Sequence, residues 1–130
     1  MKYLGFVALL MLNFSIVHAS QCIPTKHADV PNITGKPYHQ ARKELLASQW
    51  QPLRTIPINE EEDILRFSGN GSKFWEIGYQ EVESCSGTGM APCVFNFSDI
   101  YGNNLKVYTL GEEITEDEIY AEVSQYGFSC

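Results

Sequence analysis

The sequence has no second long apolar run, few cations, and none of the short motifs that announce a catalytic or cofactor site. Apolar residues run nearly unbroken only from Leu4 to Leu12, after Lys2 and before polar Asn13 and Ser15. A bilayer-spanning helix needs about 20 largely apolar residues, so no retained membrane anchor is expected. The run instead has the form of a cleavable export signal over residues 1–19, ending in Val17-His18-Ala19 with a small residue at the cut. Cleavage is expected after Ala19, giving a chain that starts at Ser20. Gln21 places a bulky amide where a lipoprotein site carries a small residue, so Cys22 is not expected to be lipidated.

Cations are scarce. Nine Lys and Arg stand against sixteen Asp and Glu, for a net charge of −7. Lys2 leaves with the signal, so residues 20–130 carry −8. That excess argues against nucleic acid and anionic membrane surfaces as partners, and no membrane insertion is expected after cleavage. Also missing are a GxxxxGK phosphate loop, a calcium loop of alternating aspartates and the close ligand pairs of zinc sites. No nucleophile elbow surrounds any serine. His27 and His39 lack recognised ligand spacing with carboxylates such as Asp29 or Glu44, so both are read as solvent-facing. The expectation is no metal, no cofactor and no catalytic residue. The acidic runs Glu60–Asp63 and Glu112–Glu118 read as solvated faces or helix starts.

Four cysteines are present, at 22, 85, 93 and 130. In an exported chain an even count implies two disulfides. Cys85 and Cys93 flank Ser-Gly-Thr-Gly-Met-Ala-Pro, a segment able to close as a loop, which would leave Cys22 to meet Cys130. Crossing connectivities stay open on sequence alone. By chain entropy the short ring would stabilise by about 2.6 kcal/mol and the long one by up to about 4.8 kcal/mol. The spacing differs from the C-x-x-C of redox sites, so a structural staple is expected.

Residues 20–130 make 111 residues, the size of one domain. Pro37 suits a first helical turn, and Tyr38, Ala41, Leu45 and Leu46 recur at helical spacing, predicting a helix over 37–49. Leu53, Ile56 and Ile58 suggest a short extended stretch, Glu60–Phe67 a short helix, and Ser68–Ser72 a loop. Strands are predicted at Trp75–Val82, Val94–Phe97 and Leu105–Leu110, with a tight turn at Gly102-Asn103-Asn104. Thr115–Glu118 has capping-box form, yet the alternation that follows favours a last strand over Tyr120–Ser129. The predicted fold class is α+β, an N-terminal helix packed on a disulfide-stapled antiparallel meander, in a single domain over residues 20–130.

Val30-Pro31-Asn32-Ile33-Thr34-Gly35 followed by Ala41-Arg42-Lys43-Glu44-Leu45-Leu46 resembles the opening of a PASTA domain, over residues 30–52 only. The second half of that module is absent, and its binding function does not come with the resemblance. Ala41-Arg42, Trp50-Gln51-Pro52, Gly78–Gly89, Cys93–Phe97 and the final aromatic-x-Cys are similar to a group of small exported gammaproteobacterial proteins. That resemblance implies a periplasmic setting and a disulfide-containing α+β domain, and it brings no activity. In such a setting the three N-x-Ser/Thr sequons, at Asn32, Asn70 and Asn96, are taken as chance.

The expected function is therefore non-enzymatic binding of an envelope protein or cell-wall component, or inhibitor or immunity duty. Phe74 and Trp75 cannot both point inward on a strand, which makes one of them a candidate surface anchor. Ser86, Gly87, Thr88 and Gly89 in the Cys85–Cys93 loop complete the candidate contact set. A small envelope hydrolase with an unrecognised site is the alternative. Ligand and oligomeric state are not legible in the residues.

Overall fold

The computed structural model describes residues 22–55 and 69–130; the expectations for Ile56, Ile58 and Glu60–Phe67, and for the export signal, fall outside them. Helix α1, Tyr38–Ala47, forms where expected and buries Tyr38, Ala41 and Leu45. Burying a leucine of this kind contributes about 1.5–3 kcal/mol. It stops short of the predicted end because Gln49 turns left-handed (φ 71°). Gln49 N–H then donates to Leu46 O and Trp50 N–H to Leu45 O, a paired C-terminal closure that satisfies the last carbonyls. The turn delivers Trp50 into the core, with its Nε1–H donating to Asp29 O at 2.9 Å.

Five strands make one antiparallel sheet: β1 Gln51–Pro52, β2 Val82–Cys85, β3 Cys93–Ser98, β4 Asn104–Leu110 and β5 Glu122–Ser129. β3 pairs with β4 along its whole length. β1 and β2 therefore lie end to end on its other edge, β1 against Phe97–Ser98 and β2 against Cys93–Phe95. Pro52 is tolerated in β1 because an edge strand leaves one row of amides unused. β5 pairs with β4 on the far side. The predicted α+β fold, an N-terminal helix packed on an antiparallel sheet, is the fold observed.

Two local expectations are overturned. Trp75–Val82 is not one strand: Gly71–Glu76 forms a helix, α2, and pairing starts only at Val82. The reason is Gly78. At φ 90° it lets its own amide donate to Trp75 O and the Tyr79 amide to Phe74 O, the same closure that ends α1, here at a residue without a Cβ penalty. The loop expected through Ser72 is consequently shorter, since Gly71 and Ser72 already belong to α2.

The tail resolves in favour of the strand, β5, and the capping-box segment forms only a 3-10 turn at Thr115–Asp117. The β3–β4 turn is a five-residue Asp99–Asn103 loop built on Asp99, whose Oδ1 accepts from the amides of Tyr101 and Asn103. Its other oxygen, Oδ2, accepts from the amide of Ala28 and ties the lead-in to the sheet.

One face of the sheet is packed. Cys93, Phe95, Phe97, Leu105, Val107 and Val123 meet Tyr38, Leu45, Trp50 and Phe74. Tyr38 stacks on Phe95 with centroids 3.7 Å apart, and Phe74 meets Phe95 edge-on at 5.1 Å. The disulfides are Cys22–Cys130 and Cys85–Cys93, with Cα atoms 6.1 and 4.1 Å apart. They sit at opposite ends of the sheet, because Cys85 and Cys93 face each other where β3 starts, whereas Cys130 follows the end of β5. Among the described residues no helix is long and apolar enough to cross a membrane.

Candidate functional site

The sheet presents three chemically distinct regions: a stapled loop at one end, a buried polar network beneath α1, and an open face. The loop spans residues 86–92. Ser86 N–H donates to Pro92 O just above the disulfide, and Gly111 N–H donates to Met90 O from the adjoining β4 end. Inside it, Ala91 N–H donates to Thr88 O, and Ser86 Oγ lies 3.0 Å from Thr88 Oγ1. Gly69 packs so close that an added Cβ would stand 2.9 Å from Ser86 O. Gly87, Thr88, Gly89 and Pro92 are exposed, Ser86 is half-buried, and Met90 is 66 % exposed.

Phe74 and Trp75 do not join this surface as a pair. Phe74 is fully buried, so it is corrected from candidate anchor to core residue. Trp75 is half-buried and packs on the same core. Helical geometry is the cause: adjacent residues on α2 diverge by a quarter-turn or so rather than lying on opposite faces of a strand. Met90 is an exposed apolar residue of this loop that the sequence signals only by its place in a segment too small to bury it; outside the loop Ile23 and Ile77 are also exposed, and Ile100 more so, at 75 %.

Beneath α1, two carboxylates are almost fully buried, Glu81 at 1 % and Glu113 at 2 % exposed. Tyr38 Oη–H donates to Glu81 Oε1 at 2.7 Å and Arg42 Nε–H donates to the same oxygen at 2.6 Å. Among the described residues Glu81 Oε2 has no hydrogen-bond partner. Burial, followed by the Glu81 charge, pushes the Tyr38 phenol well above the ordinary tyrosine range. The Arg42 guanidinium lies 4.2 Å from the Tyr79 ring centroid. Tyr79 is itself raised, first by burial, with Arg42 pulling the other way and Glu81 and Glu113 adding to the rise.

Glu113 holds His39. Its Oε1 meets His39 Nε2, its Oε2 accepts from the amide of Ala121 at 2.9 Å, and its backbone oxygen accepts from Lys73 Nζ at 2.6 Å. His39 Nδ1 lies 2.8 Å from Tyr79 Oη. The tautomer that satisfies both contacts carries its proton on Nε2 and accepts the phenol proton at Nδ1. The expectation of a solvent-facing His39 is thereby corrected: the ring is half-buried and engaged at both nitrogens. Asn70, one of the sequon asparagines, is 3 % exposed and clips this region together, its Oδ1 accepting from Glu113 N–H and its Nδ2–H donating to Gly111 O.

Compared with models of protein families, with curated proteins and with solved structures, the chain matches none. Among the described residues no group of three or more His, Cys, Asp or Glu side chains is placed to hold a metal ion. The helical pattern sets Arg42 among the polar residues of the face away from Tyr38, whereas the structure brings both side chains to Glu81 Oε1. Glu113 carries no signal in the sequence. That residue lies inside an acidic run and differs from its neighbours only by what folds over it.

On the other face of the sheet the cross-strand rows are Val94–Tyr108–Gln125, Asn96–Lys106–Gly127 and Ser98–Asn104–Ser129. Along β3 and β4 these positions alternate with the buried ones, and all but exposed Asn104 are half-buried. Two shallow grooves, of about 560 and 410 Å³, run over this face and share Tyr108 and Gln125. Neither is lined by a carboxylate. The single cation, Lys106, is paired with Glu83 at 3.2 Å.

Proposed function

We propose that this chain acts by binding, as a periplasmic protein with no active site of its own, and that it meets an envelope protein or cell-wall component through the Cys85–Cys93 loop. The observation that carries this reading is Met90, a large apolar side chain 66 % exposed on a loop that is otherwise uncharged. A disulfide, a backbone hydrogen bond from Gly111, two more inside the loop and the approach of Gly69 hold it in one shape. Preorganisation of this kind lowers the ordering cost of association. An exposed apolar anchor surrounded by small residues is the form that fills a partner's pocket. For an inhibitor the loop would plug a cleft rather than imitate a substrate, because the Met90 carbonyl is already engaged by Gly111 N–H at 2.6 Å.

The alternative, a small envelope hydrolase, draws on the Glu113–His39–Tyr79 array, whose order is that of an acid–base relay. Two features weigh against it: both His39 nitrogens are satisfied internally, and burial keeps the Tyr79 phenol protonated. Capture from a periplasmic extract and from isolated cell-wall material tests the proposal. Met90→Asp should lose at least tenfold of the capture while His39→Gln keeps it. Equal capture by wild type and Met90→Asp would remove the loop from the reading.

A further inference from the structure

We propose that Met90 is the site of a reversible oxidation that switches the loop's binding off: hydrogen peroxide converts its thioether to the sulfoxide, and a dithiol reductase restores it. The proposal rests on the loop reading and adds its regulation. Three methionines occur in the sequence, and Met90 is the only one beyond residue 19. All four cysteines are joined in pairs, and no free thiol is found among the described residues. Met90 therefore carries the one sulfur in residues 22–130 that lies outside a disulfide, and its side chain is 66 % exposed.

The geometry of the loop keeps that sulfur in solvent. Met90 stands between two left-handed residues, Gly89 at φ 63° and Ala91 at φ 50°. Ala91 is buried, at 6 % exposed, while Met90 beside it points out. The Met90 carbonyl is tied to Gly111 N–H, and residues 86–92 hold no other side chain larger than those of Thr88 and Pro92 to cover the thioether. Charge does not keep the reagent away, because peroxide is neutral and the acidic chain does not repel it. In the forward step a lone pair on Met90 Sδ takes the near peroxide oxygen: S–O forms, O–O breaks, and the departing hydroxide picks up the proton and leaves as water. Sulfur loses two electrons and peroxide gains them. In the return step two reductase thiols become a disulfide, and the sulfoxide oxygen leaves as water. The sulfoxide turns a flexible apolar side chain into a polar, chiral one. Inside a partner's apolar pocket its oxygen would lose its water without replacement. In the free protein it stays hydrated, so the fold is untouched.

The test treats the full chain with hydrogen peroxide, maps its peptides by mass, and repeats the capture from periplasmic extract and cell-wall material. One added oxygen is expected at Met90, formed at a rate within about fivefold of that of free methionine, with an unchanged melting temperature. The oxidised protein should lose at least tenfold of its capture and regain it after treatment with the two sulfoxide reductases, one for each epimer. Untreated protein carried through the same reductase step should keep its capture. Met90→Leu, apolar but without sulfur, should capture equally before and after peroxide, and Met90→Gln should behave as the oxidised protein from the start. Failure of Met90 to take up oxygen, full capture by the oxidised protein, capture that the reductases do not restore, or loss of capture by peroxide-treated Met90→Leu would each overturn the switch. Met90→Asp separates the two readings. If it loses capture while the oxidised protein keeps it, the switch alone falls; if it also keeps capture, the loop reading falls with it.

Discussion

The packed face of the sheet and the open one distribute charge in opposite ways. Glu81 and Glu113 are buried against the packed face, whereas the open face carries its charges at the surface, in the Lys106–Glu83 pair and in Glu122 opposite Leu110. A buried carboxylate persists only where donors replace water. Glu81 has Tyr38 and Arg42; Glu113 has His39 and the Ala121 amide. Those donors come from α1 and from the start of β5, so the carboxylates fix the helix on the sheet. The open face needs no such anchoring, because its charged groups keep their water.

Mutations on the two faces should separate cleanly. The largest effect is expected from Phe95→Ala, which removes the ring beneath Tyr38 and Phe74 and should cost about 4 kcal/mol in urea unfolding. Arg42→Ala follows. It strands Glu81 with Tyr38 as its one remaining donor, and about 3 kcal/mol is expected, toward the lower end because the Arg42 side chain is 20 % exposed. If Arg42→Ala proved neutral, the packed face would be held by apolar contacts alone and the contrast with the open face would lose its meaning.

A smaller effect concerns pH. Although burial works against it, Asp99 is held below the usual carboxylate range by the Asn103 side chain and the amides of Ala28, Asn103 and Tyr101. A depressed folded-state value means stability that is complete above the ordinary carboxylate pKa of about 4 and lost as pH falls through the lower, folded value. Asp99→Asn should therefore flatten the stability profile below about pH 4, with little change in its shape at neutral pH. A profile unchanged by the substitution would show that Asp99 does not set the acid sensitivity. Smallest of all, Tyr108→Ala on the open face should change stability by less than about 0.5 kcal/mol.

What the sequence disclosed follows from whether a signal is local. The alternation Cys93–Ser98 and Leu105–Leu110, and the Tyr38, Ala41, Leu45 spacing, are local, and they located β3, β4 and α1. The helix at Gly71–Glu76 was hidden because Phe74-Trp75 looks like strand composition, and the deciding residue, Gly78, lies two positions past the helix end. The polar network was hidden for another reason. His39, Tyr79 and Glu113 are brought together across 74 residues of chain, and their chemistry exists only after that closure. Met90 was visible in the sequence, but its exposure depends on Gly69 and Gly111 bracing the loop from outside it.

The bond between Cys22 and Cys130 has a consequence for how this protein would age. Residues 22 to 130 form a covalent ring, and the Cys85–Cys93 bond closes a smaller ring within it. A protease that cuts once anywhere between Cys22 and Cys130 opens a ring without releasing a fragment. The nicked molecule would keep its mass apart from one added water, and on a denaturing gel the damage would become visible only after a reductant is added.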